Sequence, residues 1–372
     1  MRTVQLGSHG PQVSVIGFGT MGLGGQYEAD SSSDRETEAL LREAIDLGVT
    51  IFDTADVYAD GHAERILGQA IADCRDRITV ATKFSPSNSS YNDVIKAAEG
   101  SLKRLATDTI DLYQNHWPNP QVPLEETLSA LVKLVEQGKV RTVGLSNVTA
   151  TEIATCKRIL PADFPLVSVQ QEYSLLERFV EHRILPNCAA SDLALIAYSP
   201  LGQGKLANSQ TNNKVLNDLS DKYNLTTAQI CLQWVCRQPG VIAIPMTSKS
   251  TNLLSNVKSL DVEIDDADLQ LLSEAYAVNI TEIPIQDIEV IGSHTGKAYT
   301  SIEDARNNTL GISPSPTELA VELAAGDMLK PVKVRRKASS GDKYELFEGQ
   351  LRYWAWAIAH DQQRPILAQV TP

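Results

Sequence analysis

Short, almost continuously apolar runs alternate with longer amphipathic stretches from residue 14 to about 280. The runs are VIGFGT near 15, TIFDTA at 50, ITVATK at 78, IDLYQNH at 110, VRTVGLSN at 140, LVSVQQEY at 166, LALIAYSP at 193 and VIAIPMT at 241. A strand buried on both faces loses the polar–apolar alternation, so these eight read as strands of a parallel sheet covered by crossover helices. Between them, DRETEALLREAIDLG and LEETLSALVKLVEQG place apolar residues at helical spacing, open on acids and close on glycine. That arrangement suits the helix dipole and the left-handed position after a helix end. Eight such units in succession predict a (β/α)8 barrel, with a doubly wound open sheet as the competing arrangement.

The texture changes after about residue 280. TEIPIQDIEVIGSHTGKAYTSIEDARNNTLGISPSP carries several turn signals and no long helical period. PTELAVELAAGD then reads as helix, KPVKVRR and KYELFEG as strands, QLRYWAWAIAHD as helix and PILAQV as strand. The expected organisation is a barrel over residues 1–280 and a small α/β domain over 281–372, with no internal repeat between them.

Composition narrows the function classes. A net charge of −13 argues against gripping phosphate backbones, so nucleic-acid binding is not expected. The N-terminus is broken by Gly, Ser, His and Pro, and no run approaches the roughly 18 apolar residues of a membrane span. The expected setting is cytoplasmic, away from membranes. Cys74, Cys156, Cys188, Cys231 and Cys236 are scattered, odd in number and without metal-ligand spacing, so reduced thiols and no metal are expected.

In a barrel the reactive face lies at the C-terminal ends of the strands. Those ends here carry Asp53, Lys83, His116, Ser146, Asn147, Gln170, Tyr198 and Ser199. Polarity resumes at any strand end, so one or two such residues mean little. A set holding Asp, Lys, His and Tyr is harder to ascribe to solvation. GFGTMG (Gly17, Gly19, Gly22) satisfies the G-x-G-x-x-G pattern, but LGGQYEADSSSD follows it in place of a helix. The dinucleotide fingerprint needs that helix, so the three glycines are assigned to close packing at the barrel mouth.

DTADVYADGHAERILGQAI, VATK, DLYQNHWPNP, GKVRTVGLSN, VQQEYSLLER and AYSPLGQG, in this order and spacing, resemble the aldo-keto reductase family from VSVIGFGTMGLG to about residue 278. The resemblance implies hydride exchange between NADPH and a small-molecule aldehyde or ketone, with NADH as an open alternative. The family's tetrad falls on Asp53, Tyr58, Lys83 and His116. Tyr58 would be the proton donor. Lys83 would favour the phenolate and lower the phenol's pKa from its usual value near 10. Asp53 would anchor the ammonium, and His116 would orient the carbonyl and share in proton relay.

The same resemblance places the nicotinamide carboxamide on Ser146, Asn147 and Gln170, and the stacked ring on Tyr198. Thr20, Met21, Ser199 and Leu201 complete that side of the cofactor, with Asp53 beside them. Thr247, Ser248 and Lys249 would face the 2′-phosphate and Asn256 the adenine. Met246 and Asn252 depart from the Gly or Lys and the Arg of many relatives. Trp117 would line the substrate pocket with Tyr58 and His116, and the loop after PLGQGKL looks shorter than in many relatives. Asp56 has no such role and reads as a loop-capping acid, and His62 reads as surface. His9, His182, His294 and His360 carry no spacing argument.

More faintly, ELAAGDMLKPVKVRR and YELFEGQLRYWAWAIA are similar to the ParB/sulfiredoxin-like fold. This implies a nucleotide or phosphate at Gly349 and Arg352, at a helix start. Gln350 stands where sulfiredoxin has its cysteine and Leu351 where a histidine is common, so sulfiredoxin chemistry is not expected. SHTGKAY lacks the spacing of a P-loop, and KVRRK reads as a solvated strand end. Two alternatives stay open: a nicotinamide-sensing regulatory protein, and a bifunctional protein whose C-terminal domain is a phosphotransferase.

Overall fold

The computed structural model describes residues 1–207, 213–291, 298–324, 326–337 and 343–371. The readings of SHTGKAY, whose first five residues are 293–297, of His294 and of the loop after PLGQGKL, at 208–212, fall wholly or mostly outside the described residues. The chain divides into two compact units, Met1–Tyr276 and Ala277–Pro372.

The first unit opens with an antiparallel hairpin, β1 (Thr3–Gln5) and β2 (Gln12–Ser14). Eight parallel strands follow in sequential order: β3 (Phe18–Gly19), β4 (Ile51–Asp53), β5 (Thr79–Phe84), β6 (Ile110–Asn115), β7 (Val140–Ser146), β8 (Leu166–Glu172), β9 (Ala194–Tyr198) and β10 (Val241–Ala243). The two ends of the sheet meet. Ile16 bridges Ala243, the Gly17 N–H donates to Ala243 O at 2.8 Å, and the Ala243 N–H donates to Val15 O at 3.0 Å. These bonds make the sheet a barrel and remove the open alternative.

Helices α1 (Asp34–Asp46), α2 (His62–Ala70), α3 (Tyr91–Arg104), α4 (Leu124–Glu136), α5 (Ala150–Ile159), α6 (Ile184–Ala190), α7 (Lys214–Tyr223), α8 (Thr227–Cys236), α9 (Ser250–Val257) and α10 (Asp266–Ala275) belong to the same unit. Their starts are chemically marked. Thr149 with Glu152 and Thr226 with Gln229 form reciprocal capping boxes on α5 and α8, each satisfying two otherwise orphaned N–H groups. In α1, Thr37, Leu40, Leu41 and Ala44 are buried, the i, i+3, i+4, i+7 stripe of a helix laid on a sheet.

Inside the barrel, Ile51, Ala81, Leu112, Val167, Ile196 and Ile242 share an apolar core with Leu6 and Val13 of the hairpin. The Ser8 N–H donates to Asp192 O, just before β9, so the hairpin sits at the strands' N-terminal ends. Polar side chains are thereby left to the opposite mouth. Gly17 and Gly19 do pack closely: a Cβ on Gly17 would lie 2.8 Å from Ile51 Cγ2, and one on Gly19 would lie 3.0 Å from Ile244 O. Gly22 differs from expectation. It takes φ +90° in a turn, with nothing nearer than Met246 Cε at 3.5 Å, and serves backbone freedom rather than packing.

The second unit is a five-stranded mixed sheet in the order β11-β15-β13-β14-β12. Its strands are β11 (Asn279–Ile283), β12 (Ile288–Val290), β13 (Val332–Arg336), β14 (Tyr344–Glu348) and β15 (Ile366–Thr371), and its helices are α11 (Ile302–Arg306), α12 (Pro316–Leu323) and α13 (Gln350–Ala359). Val332, Val334, Leu346, Ile366 and Ala368 share a core with Tyr353, Trp354 and Trp356. The five cysteines are buried and unpaired. Among the described residues, no helix is long and apolar enough to cross a membrane, and no cluster of His, Cys, Asp and Glu could hold a metal ion.

Candidate active site

The site grows out of the way β4 ends. Beyond Asp53 the chain keeps bonding to β5: the Thr54 N–H donates to Ala81 O and the Asp56 N–H to Lys83 O, at 2.8 and 3.0 Å. Only then does it turn, and Tyr58 stands in that turn, its N–H donating to Ala55 O. Lys83, near the end of β5, is fully buried. Its Nζ donates to Asp53 Oδ1 at 2.5 Å, to Thr54 O at 3.0 Å and to the Tyr58 hydroxyl at 3.5 Å. The other Asp53 oxygen accepts from Gln170 Nε2 at 2.7 Å. His116 follows β6 and meets the Tyr58 ring edge-on, with centroids 5.6 Å apart. Asp53, Tyr58, Lys83 and His116 are therefore one cluster.

Burial and charge set the protonation of these groups. Burial alone would push the Lys83 ammonium down, but the Asp53 carboxylate and the Tyr58 oxygen more than offset it, and its pKa rises above 10.5. For Tyr58 the lowering expected of Lys83 is present but outweighed. Burial raises the phenol, Lys83 opposes, and burial wins, leaving it above 10. His116 is driven from 6.5 to about 3, first by burial and then by the Lys83 cation. Its imidazole is therefore held neutral near pH 7, one ring nitrogen a donor and the other an acceptor.

Around this cluster lies a second network. Ser146 Oγ donates to Gln170 O at 3.3 Å. Asn147, at φ +55°, donates through Nδ2 to His116 O at 2.9 Å and to Ser146 Oγ at 3.2 Å, and accepts from the Tyr198 hydroxyl at 2.9 Å. Burial first, then nearby Glu172 and Glu177, lift the Tyr198 phenol well above its ordinary range. The sequence reading overlooked Asn115, which exchanges bonds with the Ser146 backbone at 3.2 and 3.3 Å, and Gln171, whose amide donates to Val148 O at 2.6 Å. Both sit beside residues that were singled out, and polarity on an otherwise apolar strand was the available signal.

The remaining positions divide by exposure. The Thr20 hydroxyl is buried with no partner among the described residues, next to an N–H that donates to Asp53 O at 2.9 Å. Met21, Trp117 and Met246 are exposed, while Ser199 and Leu201 are half-buried. Thr247 and Asn256 are buried, and Ser248 and Lys249 are exposed. Thr247 Oγ1 accepts the Lys249 N–H at 3.1 Å. No side chain caps α9, and Lys249 is the residue at its start. Unmet N–H groups beside a cation suit an anion.

One other expectation changes. His62 is half-buried rather than a surface residue, because its Nε2 meets Asp34 Oδ1 at 2.8 Å. Asp56 accepts from the Ser85 N–H and from Asn88 Nδ2, both at 3.1 Å. In the second unit Gly349, at φ +93°, precedes α13. Arg352 Nη2 lies 2.8 Å from where a Gly349 Cβ would be and donates to Pro331 O at 3.2 Å.

A closed parallel barrel thus carries a buried lysine–aspartate pair against a phenol at its C-terminal mouth. The chain belongs to the aldo/keto reductase family, whose model matches residues 15–277. The methylglyoxal reductase YeaE of Escherichia coli (strain K12) is 37% identical over 263 residues, covering 70% of this chain and 92% of that protein. The crystal structure of the thermostable aldo-keto reductase Tm1743 with the inhibitor epalrestat is 35% identical, with a TM-score of 0.70, covering 74% of this chain and all of that one. An aldo/keto reductase from Klebsiella pneumoniae, in complex with NADP and acetate, is 34% identical with a TM-score of 0.68, covering 74% of this chain and 96% of its own.

Proposed function

We propose that the first unit reduces an aldehyde or ketone to an alcohol, using NADPH, with Tyr58 as the proton donor. The observation that carries this reading is Lys83 Nζ standing between Asp53 and the Tyr58 hydroxyl at a barrel mouth. When bound, the nicotinamide supplies hydride to the carbonyl carbon. Negative charge then develops on the carbonyl oxygen, and the chain's own residues deal with it. A phenol that stays protonated at neutral pH holds the required proton. The ammonium beside it stabilises the phenolate that remains, and Asp53 keeps that ammonium charged and in place. The neutral His116 imidazole offers an N–H to the same oxygen, and Trp117 lines the substrate's approach.

The residues present suit the cofactor. Ser146, Asn147 and Gln170 present amide and hydroxyl groups to a carboxamide, and Tyr198 offers a ring face. Thr20, with its unpartnered hydroxyl, Met21, Ser199 and Leu201 complete that side. Lys249 and the uncapped start of α9, with Ser248 and Thr247, suit a 2′-phosphate, and Asn256 an adenine. The test is Tyr58→Phe with a carbonyl panel headed by methylglyoxal, after the YeaE relative. Cofactor binding should persist while turnover drops by about 10²–10⁴-fold, the usual share of general acid catalysis. A parental rate would refute the assignment. For the second unit the proposal remains a ParB/sulfiredoxin-like module. A nucleotide phosphate at Gly349 would have to draw Arg352 from Pro331, and titration with ATP and CTP tests it.

A further inference from the structure

Immediately after Tyr58 the backbone does something costly. Ala59, Asp60 and Gly61 all take the left-handed conformation, with φ of 49°, 52° and 73°, and Ala59 is buried. Left-handed geometry is unfavourable for alanine and only tolerated by aspartate, so something must hold this turn. Its internal bonds are modest: Tyr58 O accepts from the Gly61 and Ala63 N–H groups at 3.1 and 3.4 Å. The larger restraint comes from outside. A Cβ on Gly61 would lie 2.5 Å from Arg104 Cδ and 2.6 Å from Nε, and a Cβ on Gly100 would lie 3.0 Å from Arg104 Nη1. The Arg104 side chain thus occupies a slot between two glycines, one on the Tyr58 turn and one on α3.

Arg104 is itself held. Its Nε donates to Glu64 Oε2 at 2.5 Å and its Nη2 to Ser101 Oγ at 3.2 Å. Glu64, in the first turn of α2, is completely buried. Its second oxygen accepts from Thr82 Oγ1 at 2.6 Å, and Thr82 is the residue before Lys83 on β5. The Tyr58 turn thus packs on the Arg104 side chain, and from Arg104 directional bonds run through Glu64 to Thr82, on the strand that carries the ammonium. Stability is a poor account of this arrangement, because a buried ion pair gains little over apolar residues of the same volume. Geometry is a better one, since a displacement of 1 Å at a reacting group costs on the order of 10²-fold in rate.

We propose that Glu64 and Arg104 are positioning residues: the pair, tied to Thr82 and wedged between Gly61 and Gly100, fixes the Tyr58 hydroxyl against Lys83. Neither touches substrate or cofactor. The inference rests on the reading of Tyr58 as proton donor. Loosening the clamp lets the phenol move away from Lys83, among the described residues the cation that acts on it, while Asp53, His116 and Tyr198 are the other titratable groups around it. The phenol's pKa then rises further, which carries the alkaline limb of the kcat profile to higher pH.

The experiment uses the full chain with Glu64→Gln, Arg104→Met and Arg104→Lys, normalised to the folded fraction. Glu64→Gln and Arg104→Met should each lower kcat at least tenfold, move the alkaline limb upward and leave the Kd for NADPH within twofold. Arg104→Lys, which keeps a cation on Glu64, should recover a substantial part of kcat. A purely architectural role would lower Tm yet leave kcat per folded molecule and the limb unchanged, and that result overturns the inference. If Arg104→Met does not fold, Thr82→Val removes only the hydroxyl on Glu64, and the same limb shift with at least a threefold loss is expected. An unchanged Thr82→Val profile counts against the inference. Tyr58→Phe run in parallel separates the two claims. An inactive Tyr58→Phe beside a parental Glu64→Gln sinks only the positioning role, whereas a parental Tyr58→Phe removes the donor reading and this inference with it.

Discussion

Replacing His116 with asparagine removes a group whose protonation the fold resists, and the size of that resistance follows from the structure. Burial and the neighbouring Lys83 cation bring His116 to about 3 from 6.5. The folded pKa is depressed, so the unfolded chain takes up the proton first as pH falls. Stability from this group is fully present above 6.5 and is lost progressively between 6.5 and about 3. At 1.36 kcal/mol per pH unit, the whole interval is worth about 5 kcal/mol, and the part lost by pH 4 about 3 kcal/mol. Other acids titrate in the same range, but they are common to parent and variant, so the difference between the two isolates His116.

The assay is hydrogen exchange of amides in β5 and β6, which reports on the barrel alone, at pH 7 and pH 4. The asparagine variant carries a constant packing penalty at both values. On going to pH 4 the gap between parent and variant should move by about 3 kcal/mol in the variant's favour. A gap that stays the same, or a His116 ring-nitrogen resonance titrating near 6.5, would refute the reasoning. It would also make His116 partly cationic near neutral pH.

Asp53→Asn should leave Lys83 buried opposite a neutral amide, at a cost of about 3–5 kcal/mol; urea unfolding showing less than about 1 kcal/mol would mean the pair is not desolvated as described. Lys249→Ala should weaken NADPH roughly tenfold, as expected of one exposed charge-assisted contact, and leave NADH unaffected; equal losses place the 2′-phosphate elsewhere. Truncation after Tyr276 should give a folded barrel that binds NADPH, checked by circular dichroism and cofactor fluorescence; an insoluble product would show that the barrel depends on the residues removed.

Much of the barrel was legible along the chain, for a local reason. A strand covered on both sides must be apolar throughout, and its end must be polar where it meets the mouth, so TIFDTA and ITVATK announce both strand and site. The hairpin of β1 and β2 was not legible, nor were β11, β12 and α11. They are three to five residues long, too short to show a period, and the partners of β11 and β12 lie far off in sequence, as β11 pairs with β15 and β12 with β14. His62 shows the same limit, since Asp34, which half-buries it, is 28 residues away.

The order of the βα units, and which side chains end each strand, were settled by the sequence itself, because hydrophobic period and capping are properties of neighbouring residues. The tertiary structure alone decided that Gln170 reaches Asp53 across 117 positions, and that Glu64 and Arg104 stand behind the Tyr58 turn. It also decided that at Tyr58 burial outweighs the lowering by Lys83, which leaves the phenol above its ordinary value. Nearby charge can be guessed from a list of residues, but desolvation depends on everything that surrounds a group, and only the closed barrel supplies that.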